Sequence, residues 1–214
     1  MLLAVWRAVR AVPVLPHLAL WMLGRNREIF QEDLVRWAKL QEKSAIGSRG
    51  KAIRFFLRMM PGTEELRSLF YYRFPAARFL NPLAPRSPTL YLVTRDIGPG
   101  LFLQHGFATI VDAKSIGRDC WINQQVTVGY SGPGNPVIGD NVTIRAGAKV
   151  LGGITIGDNV VIGANAFVAK DVPANCVVAG VPARIIRRGG RRVDEPLTSK
   201  GKRVVPIAAE ARSA

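Results

Sequence analysis

Aliphatic residues return every six positions through the second half of the chain: Ile138, Ile144, Val150, Ile156, Ile162 and Val168. Four residues after each of these comes Val142, Ala148, Ile154, Val160, Ala166 and Val172. Upstream, the same step takes in Ile97 and Leu103, then Ile116, Ile122 and Val128, with one extra residue near 109–110 and a loop near 130–137 breaking the phase. An α-helix repeats at 3.6 residues and a half-buried strand at 2, so neither produces this beat. A triangular coil does. Each hexad is then one short flat strand and a corner, three hexads close a turn, and the aliphatic columns stack inside the prism. Asp140-Asn141 and Asp158-Asn159 fall at corresponding corners, where such residues tolerate left-handed backbone angles.

Before residue 89 the period is helical. Phe30, Leu34 and Trp37 share one face, and so do Ile53, Phe56, Leu57 and Met60. Pro61-Gly62 ends the second helix, Thr63 stands where it can cap the next, and that helix carries Leu66, Leu69 and Phe70. The segment NPLAPRSP at 81–88 reads as a rigid connection into the coil. The pattern predicts a mainly β protein with three regions. These are a helical, basic N-terminal region with its proline-rich linker over 1–88, the hexad coil over 89–186, and a basic, disordered tail over 187–214. Short strands leave open edges at the ends of the coil, and the helical region is placed to cover one of them.

The formal charge of +15 is unevenly spread: residues 1–88 carry about +9, residues 89–183 are balanced, and residues 184–214 carry about +6. A neutral centre argues against a nucleic-acid groove along the protein, and no nucleic-acid partner is expected. Cys120 and Cys176 form no CxxC pair, which excludes a disulfide scaffold and a zinc–cysteine site and fits a cytoplasmic location. The apolar opening, MLLAVWRAVRAVPVLPHLALWMLG, is interrupted by Arg7, Arg10, Pro13 and Pro16, so it suits neither a signal peptide nor a membrane span. Two readings of it stay open: a helix packed on a partner subunit, or an amphipathic segment in peripheral contact with a membrane.

Only His17 and His105 are histidines. His17 lies in the apolar opening and reads as structural. His105 occupies an outward place in its hexad, beside Gly106, where an imidazole with a pKa near 6.5 could take a proton from a hydroxyl at neutral pH. Two histidines do not make the three-histidine site of a zinc enzyme, so no metal is expected.

The segments IGPGLFLQHG, INQQVTVG, VIGDNVTIRAGAKVLGGITIGDNVVIGANAFVAKDVP and AGVPARII, spread over residues 97–186, resemble the hexapeptide-repeat acyltransferases and, within them, the serine acetyltransferase family. The resemblance implies a left-handed parallel β-helix, assembly as a homotrimer or a dimer of trimers, active sites between subunits, and acetyl transfer from acetyl-CoA to a hydroxyl. By position His105 matches the family's catalytic histidine, and Ala146 and Ala164 match small residues along which the CoA arm lies. Gly180 to Arg184 resembles the final turn near the CoA nucleotide, with Arg184 and Lys170 as phosphate partners. Base catalysis of this kind also needs oxyanion donors, for which the Gly129 backbone is a candidate, and a carboxylate to orient the imidazole, for which Asp96 and Asp112 are nearest in sequence.

The chain departs from the serine acetyltransferase pattern at three places. Gly134-Asn135-Pro136 stands at the family's arginine–histidine–proline turn, Leu90 at its acidic position, and Tyr130 at the second glycine of a pair. Two acceptors follow as expectations: the serine hydroxyl, and alternatively a sugar hydroxyl of an exopolysaccharide or capsule precursor.

Overall fold

The computed structural model describes residues 6, 9–43, 45–132 and 134–198. The hexads wind into five turns of a parallel β-helix. The first turn runs through β1 (Leu90–Leu92), a bridge at Ile97 and β2 (Phe102–Leu103). The second contains β3 (Thr109–Val111), β4 (Ser115–Ile116) and β5 (Trp121–Ile122). The third contains β6 (Thr127–Gly129), β7 (Val137–Ile138) and β8 (Thr143–Ile144). The fourth contains β9 (Lys149–Leu151), β10 (Thr155–Ile156) and β11 (Val161–Ile162), and the fifth β12 (Phe167–Val168), a bridge at Val172 and β13 (Cys176–Ala179).

Three flat faces result. Face A stacks β1, β3, β6, β9 and β12; face B stacks β4, β7 and β10; face C begins β2, β5, β8, β11, β13. Every hexad aliphatic from Ile97 to Val172 is buried, because its strand position points into the prism. The first phase break lies in one corner. Between Leu103 and Val111, both core positions, the chain spends eight steps, which form the turn 104–108, and from Val111 to Ile116 it spends five, so the net excess is one residue.

The B–C corners are held by the two asparagines the pattern singled out, Asn141 and Asn159, and by a third, Asn175. Asn141, Asn159 and Asn175 take φ of 54°, 58° and 59°. The Asn141 side-chain amide donates to Asn159 (2.9 Å), and that of Asn159 to Asn175 (3.0 Å), forming a ladder up the edge. Asp140 and Asp158 lie beside it and accept backbone N–H groups from the preceding turn, Arg118 and Asp140 respectively, each at 2.8 Å.

Four helices cover the open start of the coil: α1 (Leu15–Leu23), α2 (Arg27–Glu42), α3 (Arg49–Met59) and α4 (Glu64–Arg73). Their expected faces are the buried ones, with Phe30, Leu34, Trp37, Phe56, Met60, Leu66, Leu69 and Phe70 all in the core. Thr63 sits at the N-cap of α4 but makes no side-chain cap bond. The helices seal the coil through Trp37, whose Nε1 donates to Leu101 O (2.9 Å) and whose ring stands edge-on to Phe102, centroids 4.8 Å apart. One continuous apolar core therefore joins cap and coil. No helix among the described residues is long and apolar enough to cross a membrane.

The C-terminal boundary differs from the one expected. The chain does not become irregular at 187: β14 (Arg184–Arg188) turns back antiparallel on β13, and β15 (Arg191–Pro196) pairs with β14. Arg184 with Asp194 and Arg188 with Glu195, both at 2.6 Å, tie this hairpin, so its basic residues are partly engaged in pairing. The remainder of the expected tail, from 199 on, lies outside the described residues.

Candidate active site

Register places His105. Leu103 pairs with Ile122 and Ile110 with Thr127, which brings the turn 104–108, His105 within it, to the corner held one turn on by Gln124. Continuing through the pairs Trp121–Thr143 and Val161–Thr143, the same column holds Ala146 and Ala164, and the Ile162–Val178 pair adds Gly180. All five stand at the corner between faces C and A, one per turn. With strands about 4.8 Å apart, the edge from His105 to Gly180 is about 19 Å long.

His105 is exposed at this corner and adopts φ 52°, as does Ala108 at 51°. Left-handed backbone is uncommon outside glycine, and histidine is among the residues that adopt it more readily. The turn is tightened by the Phe107 N–H, which donates to His105 O at 2.7 Å. Gly106 is needed between them: a Cβ there would press on Leu90 and on Glu65.

A cavity of about 200 Å³ opens beside the imidazole, lined by Trp37, Gln41, Glu65, Gln104 and Trp121 among others. Glu65, in the first turn of α4, accepts the Gly106 N–H on Oε1 at 3.1 Å. Gln104 accepts from the Asn123 side-chain amide at 3.0 Å. Three buried polar atoms around this corner have no partner within the described chain: Trp121 Nε1, Asn123 Oδ1 and Gln124 Oε1. The Arg145 guanidinium lies over the Trp121 ring, 4.8 Å from its centroid.

The other expected residues divide between two places. Asp96 and Asp112 follow face-A strands and Gly129 ends one, so all three stand toward the A–B corner, a different edge of the prism from His105. Within one chain neither aspartate orients the imidazole. Asp96 instead lines a cleft of about 470 Å³ together with Tyr72, Arg78, Arg86 and Arg95. Gly129 carries its carbonyl to Gly152 N (3.0 Å) and does not face His105. Lys170 and Arg184 do come together: both line a cavity of about 260 Å³ at the far end of the coil, with Phe167, Pro182 and Leu197. Arg184 is paired there with Asp194. Glu65, which sequence reasoning missed, is the carboxylate that shares the His105 cavity. Its only signal was a place in the first turn of a helix, where acidic residues are common for dipole reasons alone.

Residues 135–170 match the family model described as bacterial transferase hexapeptide (six repeats). Over those residues the repeat is the bacterial transferase hexapeptide. A serine acetyltransferase of Synechococcus elongatus is 47% identical over 103 residues, covering 46% of this chain and 42% of that protein. One from Staphylococcus epidermidis is 43% identical over 127 residues, covering 56% and 60%. The chain thus spans about half the length of the curated relatives it matches. Among solved structures, the serine acetyltransferase of Neisseria gonorrhoeae superposes with a TM-score of 0.58 at 26% identity, covering 82% of this chain and 69% of that one. The soybean serine acetyltransferase complexed with serine does so with a TM-score of 0.59 at 26%, covering 78% and 72%. The likeness to these serine acetyltransferase structures therefore extends beyond the repeat into the helical cap. Among the described residues no group of three or more histidine, cysteine or acidic side chains could hold a metal.

Proposed function

We propose that this protein is an acetyl-CoA-dependent O-acetyltransferase with His105 as general base. The observation that carries the reading is the single C–A edge on which His105, Ala146, Ala164 and Gly180 follow one another turn by turn. Side chains without bulk leave room for an extended pantetheine arm, the imidazole lies at one end, and the cavity holding Lys170 and Arg184 lies toward the other, where phosphates would need cations. His105 takes the proton from the acceptor hydroxyl as its oxygen attacks the thioester carbonyl, and the imidazolium returns that proton to the departing thiolate. Thiol release from acetyl-CoA in the presence of an acceptor tests this. The wild type should turn over and His105→Ala should lose at least about 100-fold in kcat; an active His105→Ala enzyme would sink the proposal.

L-Serine is the first acceptor to try, since the relatives compared above are serine acetyltransferases. A sugar hydroxyl is the second, and one observation favours it: no lysine or arginine lines the His105 cavity itself, and the nearby Arg145 guanidinium is stacked on the Trp121 ring. Aromatic and amide side chains, which do line it, suit a neutral polyhydroxyl compound. Serine-dependent thiol release measured beside a sugar panel separates the two.

The reading includes a homotrimer. Face A presents Tyr91, Val93, Phe107 and Ile110 exposed around the first turns, an apolar group that a second copy would cover. Such packing would bring the A–B corner of one chain, with Asp112 and Gly129, toward the C–A corner of the next. Light scattering on the purified protein checks the mass.

A further inference from the structure

The turn that carries His105 is fastened from outside the coil. Glu65 sits in the first turn of α4, forty residues upstream, yet its Oε1 accepts the N–H of the residue immediately after His105. Its stem and the Leu90 side chain converge on one point: a Cβ built on Gly106 would lie 3.2 Å from Glu65 Cγ and 3.0 Å from Leu90 Cδ2. Glu65 and His105 also line the same cavity. A general base that becomes an imidazolium in the transition state needs a carboxylate nearby to hold its ring and balance its charge. In this chain Asp96 and Asp112 stand at another edge.

We propose that Glu65 is the positioning residue of His105, acting through the left-handed turn it braces and the negative charge it presents in the cavity. The inference rests on the reading of His105 as base. It predicts that the helical cap is part of the active site, with α4 delivering a group that the coil itself lacks.

Steady-state acetyl transfer by four variants tests it. Glu65→Ala should lower kcat about 100-fold with the KM for acetyl-CoA unchanged, since the groove lies along the other turns. Glu65→Gln keeps an acceptor for the Gly106 N–H but removes the charge. It should retain the wild-type melting temperature and the braced turn while kcat still falls at least about tenfold, because the imidazolium formed in the transition state loses its counter-charge. Leu90→Glu introduced into Glu65→Ala places a carboxylate against the same glycine and should recover at least tenfold of the lost kcat. Glu65 variants that keep wild-type kcat while His105→Ala is inactive overturn the inference and leave the base in place. A loss of kcat in Glu65→Ala that Glu65→Gln restores in full and Leu90→Glu does not rescue marks a purely structural contact and overturns it as well. An active His105→Ala removes the reading beneath.

Discussion

Asp33 and Arg73 form an ion pair inside the junction between cap and coil, with Arg73 Nε donating to Asp33 Oδ2 at 2.8 Å. Almost every remaining hydrogen-bonding group of the pair is spent on the first turn of the β-helix. Asp33 Oδ1 accepts the Gly100 and Leu101 N–H groups at 2.7 and 3.1 Å. Arg73 donates to Ile97 O and Gly98 O at 2.6 and 2.7 Å. Two helices are thereby tied to each other and to a stretch of backbone with no strand partner on its cap side. Breaking such a pair leaves one charge buried and uncompensated. Asp33→Ala and Arg73→Ala should each cost about 3–5 kcal/mol in urea denaturation. The double variant should fall well short of the sum, because the second deletion relieves the charge stranded by the first.

His17 is the second buried polar device of the cap. Its Nε2 lies 2.7 Å from the Tyr71 hydroxyl, which itself donates to Ala84 O at 2.9 Å, so the neutral ring must be the donor. Burial lowers the His17 pKa below its ordinary 6.5 and pushes the Tyr71 hydroxyl up to about 12. Below pH 6.5 the unfolded chain therefore binds a proton that the folded chain refuses, and stability falls as pH falls. Denaturant midpoints measured from pH 7.5 down to 5 should decline, by up to about 1.4 kcal/mol per pH unit until the folded ring itself titrates. His17→Gln keeps a donor for Tyr71 and should flatten that slope.

Bulk on the C–A edge should obstruct the co-substrate and little else. Ala164 is exposed, so Ala164→Phe should leave the melting temperature nearly unchanged while raising the KM for acetyl-CoA at least about tenfold. Thr155→Phe, an exposed outward position on face B, is the matched control and should leave kinetics alone.

The asparagine ladder separates backbone from side chain. Asn159 holds φ 58° and bonds both of its neighbours in the column. Asn159→Ala loses both bonds and meets the left-handed penalty, for a cost of about 2 kcal/mol by thermal unfolding. Asn159→Gly keeps the backbone conformation accessible and should cost about half as much.

Much of the molecule is legible in its sequence. A six-residue aliphatic beat has one geometric meaning, so the coil, its buried columns, the asparagine corners and the shared edge of Ala146 and Ala164 all follow from counting along the chain. The outward place of His105 follows in the same way. Its partner does not. Asp96 and Asp112 lie within nine residues of His105, but in a three-cornered coil the next corner belongs to another edge, so nearness in sequence becomes separation in space. Glu65 is reached only through the packing of Trp37 against Phe102 and Arg73 against Asp33, contacts that no periodicity encodes because they join segments of different period. The pairing of Arg184 and Arg188 with Asp194 and Glu195 was hidden likewise, by a basic composition that outweighed its two acids. Local repetition determined which way each side chain of the coil points. Only the docking of the helical cap, a matter of complementary surfaces distant along the chain, decided which carboxylate shares the cavity of the imidazole.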